Sequence, residues 1–158
     1  MKKVLIVYHS QSGNTEAMAK AISEGASAAG ATVVLKNAID AKAEDIINCD
    51  IVAIGTPSYF GYMSGMVKDF FDRAWLTIRD KMGNKPYVTF GSKGGGGLQF
   101  LEGLERICDN MKMVKVFESL VATRKPAEED ISKCKELGKK MAKLEKVERV
   151  KETGEPRL

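Results

Sequence analysis

A chain of 158 residues with 44% hydrophobic and 29% charged residues has the length and composition of one globular unit with one core. Its net charge of +4 divides into +1 over residues 1–123 and +3 over residues 124–158, and the basic stretch 131–151 holds no aromatic residue, which argues against a nucleic-acid partner. No run approaches the roughly 18 apolar residues of a membrane span, and a lone histidine, His9, with three scattered cysteines, Cys49, Cys108 and Cys134, makes neither a zinc set nor a dithiol.

Met1-Lys2-Lys3 is basic, but the apolar run behind it is too short for a secretory signal and no small-residue cleavage site follows. This predicts a cytoplasmic chain whose first strand, residues 4–8, is buried on both faces because it is apolar throughout. Residues 14–29 read as a helix with Met18, Ile22, Ala26 and Ala29 on one face, and Gly30 ends it. A second strand is expected at 32–35, a short helix at 42–48 and a third strand at 50–55. Val67, Phe70, Phe71, Ala74 and Ile78 recur at helical spacing, with charged residues opposite them. A fourth strand at 86–90, a helix at 98–111 with Leu101, Leu104, Cys108 and Met111 inward, and a fifth strand at 114–121 follow. A last helix runs from after Pro126 to about Val147, burying Ile131, Cys134, Leu137, Met141 and Leu144, and residues 151–158 read as a frayed tail. The three thiols are expected reduced and mostly buried. Trp75 is expected in the core or at a subunit contact.

Strict strand–helix alternation predicts an α/β, three-layer α-β-α domain over residues 1–150, with a parallel sheet and right-handed crossovers. Such sheets bind ligands beyond the C-terminal ends of their strands, where the strand order reverses. The loops after strands one, three and four are therefore the place to look.

The first loop, Ser10-Gln11-Ser12-Gly13-Asn14-Thr15, leads into a helix without the glycine fingerprint of dinucleotide sites or the Gly-Lys of a P-loop. A helix N-terminus offers free N–H groups and partial positive charge, and the hydroxyls and amide add donors, enough for a phosphate monoester without a lysine. The competing reading is a plain helix cap. The loop after strand three, residues 56–65, packs Tyr59, Phe60 and Tyr62 into one turn, either over a flat apolar ligand or back onto the core. The loop after strand four, Gly91-Ser92-Lys93-Gly94-Gly95-Gly96-Gly97, allows close approach of backbone N–H groups to a ligand.

Together these loops resemble those of flavodoxin-fold FMN proteins. Ser10 to Thr15 resembles the flavodoxin phosphate loop. Gly55-Thr56-Pro57-Ser58-Tyr59-Phe60-Gly61-Tyr62-Met63-Ser64-Gly65 and the glycine run are similar to those of the flavodoxin-like FMN-dependent NAD(P)H:quinone oxidoreductases. The resemblance implies a five-stranded sheet of order 2-1-3-4-5 and non-covalent FMN. It places Ser10, Gln11, Ser12, Gly13, Asn14 and Thr15 at the phosphate. Thr56, Pro57, Ser58, Tyr59, Phe60 and Gly61 would lie beside the ring, and Ser92, Lys93, Gly94 and Gly95 at its pyrimidine end. It implies hydride acceptance from NAD(P)H and delivery to a quinone-like acceptor. The alternative is an electron carrier between redox protein partners, and a homo-oligomer is compatible with either. The chain departs from both groups: the quinone oxidoreductases carry an insertion before strand three, where this chain has only about a dozen residues, and carrier flavodoxins are acidic with an aromatic on the loop after strand four. No side chain is required as a nucleophile, because the flavin carries the redox chemistry. His9 is expected to pack or hydrogen-bond rather than catalyse.

Overall fold

The computed structural model describes residues 1–145, 147, 148 and 150. In chain order the elements are β1 (Lys3–Tyr8), α1 (Asn14–Ala28), β2 (Thr32–Asn37), α2 (Ala43–Asn48), β3 (Ile51–Pro57), α3 (Gly65–Ile78), β4 (Pro86–Lys93), a 3-10 turn (Gln99–Leu101), α4 (Glu102–Asn110), β5 (Val114–Lys115), β6 (Leu120–Thr123) and α5 (Glu128–Ala142). All strand pairings are parallel, and the sheet runs β2-β1-β3-β4-β5, with β6 also on β4.

β3 is buried along its whole length, and β1 and β4 nearly so, which is why their sequences are apolar runs rather than alternations. Successive side chains still go to opposite faces. Leu5, Val7, Val52 and Ile54 meet Phe70, Phe71 and Leu104 of α3 and α4 on one side. Val4, Ile6, Ala53 and Val88 meet Met18, Ile22, Cys134 and Met141 of α1 and α5 on the other. Each fully buried aliphatic side chain contributes about 1.5–3 kcal/mol. β2, at the edge, is only half covered. Burial keeps the three free thiols protonated, pushing Cys49 up to about 11 and Cys134 up to about 12.

Three expected elements take a different form. The fifth strand is broken: Tyr87 pairs with Lys115 and Phe90 with Leu120, so three steps along β4 face five along the edge, and two extra residues bulge out. The bulge delivers Ser119 to a buried carboxylate. Glu105 of α4, only 4% exposed, accepts hydrogen bonds from Thr89 Oγ1 (3.0 Å), Lys115 Nζ (3.0 Å) and Ser119 Oγ (3.1 Å). The helix expected from residue 98 begins as a 3-10 turn and becomes α-helical at Glu102. The last helix ends at Ala142 rather than near Val147; Leu144 still packs on the core, and Val147 is exposed. Trp75 is 41% exposed on α3 and is not a core residue. The expected tail, 151–158, lies outside the described residues. Among those residues no helix is long and apolar enough to cross a membrane.

Candidate functional site

The sheet register brings three loops to one edge. Tyr8 pairs with Gly55 and Pro57 with Ser92, so β1, β3 and β4 finish side by side. The loops also bond to one another: Ser58 N–H donates to Ser92 O at 2.8 Å, and the hydroxyls of Thr15 and Ser92 meet at 2.7 Å.

At the start of α1 the loop's polar side chains do not act as a helix cap. The N-cap is Gly13, at φ +93°, and no side chain caps the helix. Its own N–H turns back to Ser10 Oγ at 3.0 Å. Ser12 and Asn14 have no side-chain partner among the described residues, and the N–H groups of Asn14, Thr15 and Glu16 meet no acceptor there. By contrast α3 has an ordinary cap, where Ser64 Oγ accepts from Val67 N–H at 3.3 Å. The first turn of α1 therefore leaves its N–H groups and its partial positive charge without a partner among the described residues. Gln11 is exposed beside it. Thr15 is fully buried, so its hydroxyl serves the link to β4.

The aromatic loop divides its three rings. Tyr59 and Tyr62 bond reciprocally, N–H to O at 2.9 and 3.0 Å, around Phe60 (φ +55°) and Gly61 (φ +71°). Two successive positive φ values are the requirement of a type I′ hairpin turn. Gly61 meets it at no cost, whereas Phe60 is strained there and its ring lies fully in solvent. Tyr62 folds onto α4, where any side chain on Gly103 would collide with its ring. Tyr59 turns toward His9, the rings edge to face at 6.2 Å. Thr56, fully buried, closes the base of the loop: its hydroxyl donates to Pro57 O at 2.8 Å and accepts from Ser64 N–H at 2.9 Å. Thr56 thus shapes the site from within, while Pro57 and Ser58 carry the chain to the hairpin.

Beyond β4, a methyl group on Gly94 or Gly95 would point into open space, so the protein's own packing does not demand glycine there; Gly96, at φ +82°, needs it for its backbone. Lys93 makes no ion pair among the described residues, and its carbonyl accepts from Arg124 N–H at 2.6 Å. The three loops hold no carboxylate.

Sequence reasoning located all three loops but missed the bond between Thr15 and Ser92 and the place of His9. His9 is 7% exposed just after β1, its Nδ1 buried without a partner among the described residues, and burial pushes its pKa down. The one local signal for it was its position beside the first loop.

This arrangement fits FMN: uncommitted N–H groups and a hydroxyl for a phosphate, an aromatic hairpin for a flat ring, and side-chain-free backbone at its far edge. A family model described as Flavodoxin matches residues 6–138. The flavodoxin of Aquifex aeolicus is 30% identical over 90% of this chain and 86% of its own. An NAD(P)H dehydrogenase (quinone) of Cupriavidus metallidurans is 35% identical, but the match spans 60% of this chain and 60% of that protein. Among solved structures, a flavodoxin from the domain Archaea has TM-score 0.79 at 27% identity, covering 89% of this chain and 96% of that one. The two-electron reduced flavodoxin of Megasphaera elsdenii has TM-score 0.77 at 29% identity, covering 89% and 99%. FMN is the cofactor of the family that these matches share. The chain belongs to the flavodoxin family.

Proposed function

We propose that this chain is a cytoplasmic FMN-dependent redox protein that accepts hydride from NAD(P)H and passes the electrons to a quinone-like acceptor. FMN, when bound, supplies the hydride and electron chemistry. The chain holds it: the N–H groups opening α1, with Ser12 and Asn14, take the phosphate, and the Tyr59–Tyr62 hairpin stands beside the ring. Ser92, Lys93, Gly94 and Gly95 would lie at its pyrimidine edge, where Lys93 and backbone N–H groups would favour the negative charge gained on reduction. The observation that carries the reading is the open loop after β4. Gly94 and Gly95 have free space above them and no aromatic stands there, which leaves room for a second flat molecule.

One observation favours a second reading, an electron carrier between redox protein partners: the match to a flavodoxin runs nearly the full chain, and the match to a quinone dehydrogenase does not. Anaerobic mixing of the FMN-loaded protein with NADPH and then NADH, followed by flavin absorbance, separates the two. Bleaching within seconds is the expected result. A flavin that only dithionite bleaches would overturn the reductase reading in favour of the carrier.

A further inference from the structure

His9 stands where the phosphate loop and the aromatic hairpin meet, and none of the roles above uses it. Side chains alternate along β1, so Tyr8 faces α1, with its hydroxyl on Glu16 Oε2 at 3.1 Å, and His9 faces the hairpin. Its backbone N–H donates to Gly55 O at 3.2 Å, and its ring lies edge to face with Tyr59. Nδ1 is the one buried side-chain N or O atom without a partner among the described residues. An unpaired acceptor is tolerated in an interior more readily than an unpaired N–H. The single proton of the neutral ring therefore belongs on Nε2. A second proton would place an N–H on Nδ1 with nothing to accept it, at the full cost of an unsatisfied buried donor.

We propose that His9 is a positioning residue for FMN, a neutral imidazole that braces the Tyr59 hairpin against the end of β1 and offers its Nε2–H to the cofactor. The role rests on FMN occupying this site and is independent of where the electrons come from or go. The side chains around the ring agree with it. Tyr59 is the titratable group in contact, Glu16 is engaged by Tyr8, and burial alone, with no charged neighbour, acts on the titration of His9. Protonation disrupts the brace and so opposes FMN.

The test is FMN affinity, read by quenching of flavin fluorescence at about pH 7.5 and about pH 5, the lower value set well beneath the ordinary histidine value because burial pushes His9 down. The FMN phosphate titrates in the same range, equally for every variant, so the quantity compared is the ratio of Kd values. His9→Gln keeps an N–H at the ε position and cannot take a proton. Its affinity at the higher pH should stay near that of the wild type, and at the lower pH the wild type should weaken relative to it by about three- to tenfold. His9→Leu keeps the bulk and loses the donor, so it should bind about three- to tenfold more weakly at both values. Urea unfolding of each apoprotein confirms that all three are folded. A constant ratio, a wild type that tightens in acid relative to His9→Gln, or wild-type affinity in His9→Leu would each overturn the role of His9 and leave the site standing. A wild type that binds no FMN would overturn both.

Discussion

Ser12 and Thr15 lie three residues apart in one loop, yet removing their hydroxyls should do different things. The Ser12 hydroxyl is exposed and makes no bond among the described residues. Ser12→Ala should leave the apoprotein's urea midpoint unchanged and weaken FMN by about tenfold or more, since a hydrogen bond to a charged group contributes about 1.5–3 kcal/mol. Thr15→Val also strands the hydroxyl of Ser92, which is 6% exposed. It should destabilise the apoprotein by about 1–3 kcal/mol and weaken FMN as well, because β4 and α1 lose their link at the site. Equal unfolding midpoints for the two variants would refute the distinction. The loop of small polar residues around Gly13, opening a helix, was legible because it depends on neighbours in sequence. What was not legible is that Gly13, rather than a hydroxyl, occupies the N-cap, and that Thr15 looks inward to a partner 77 residues away.

Pairs of elements approach as closely as their smallest residues allow. Where α1 meets α5, a Cβ on Gly25 would fall on the backbone of Lys135, and one on Gly138 would fall on the backbone of Ile22. Backbone cannot move aside as a side-chain tip can, so Gly25→Ala should force the helices apart and lower stability by about 1–3 kcal/mol. Gly83 has ordinary backbone geometry and open space around it. Gly83→Ala should be neutral or stabilising, because it narrows the unfolded ensemble. Thermal unfolding of the two variants checks the pair, and a Gly25→Ala protein as stable as wild type would mean that the helices are not in register as described. Element existence was legible in the sequence because each long helix announces itself by period and each central strand by a short continuous apolar run. The broken fifth strand was not, since Val114 to Val121 reads as one β-rich run. Its bulge answers to Glu105, a long-range partner whose buried carboxylate gathers donors from β4, β5 and the bulge itself. The end of α5 was misplaced for a related reason: Leu144 continues the apolar stripe and does pack on the core, but beyond the helix.

For the molecule as a whole, the fold class followed from alternation and the strand order from the family resemblance, while the choice of partner depends on charge around the site, which only the folded chain assembles. β6 pairs with β4 up to Lys93 and Thr123, so Arg124 and Lys125 leave the sheet at the same edge as the glycine loop. None of the three cations forms an ion pair among the described residues. The net charge of +4 is a weaker guide, because a bound FMN phosphate removes about 1.5–2 of those charges. The local cluster should therefore govern encounters with small charged reactants. Oxidation of the dithionite-reduced, FMN-loaded protein by ferricyanide, an anion, should slow as ionic strength rises from about 0.01 M to about 0.15 M, as the Debye length shrinks from about 30 Å to about 8 Å. In the double variant Arg124→Gln, Lys125→Gln, both replaced residues being exposed, the salt dependence should flatten while the unfolding midpoint holds. A wild-type rate that rises with salt would mean that carboxylates elsewhere control approach to the flavin. The physiological partner would then be sought among proteins with a basic docking face. A rate that falls directs the search to anionic donors and acceptors, NAD(P)H included.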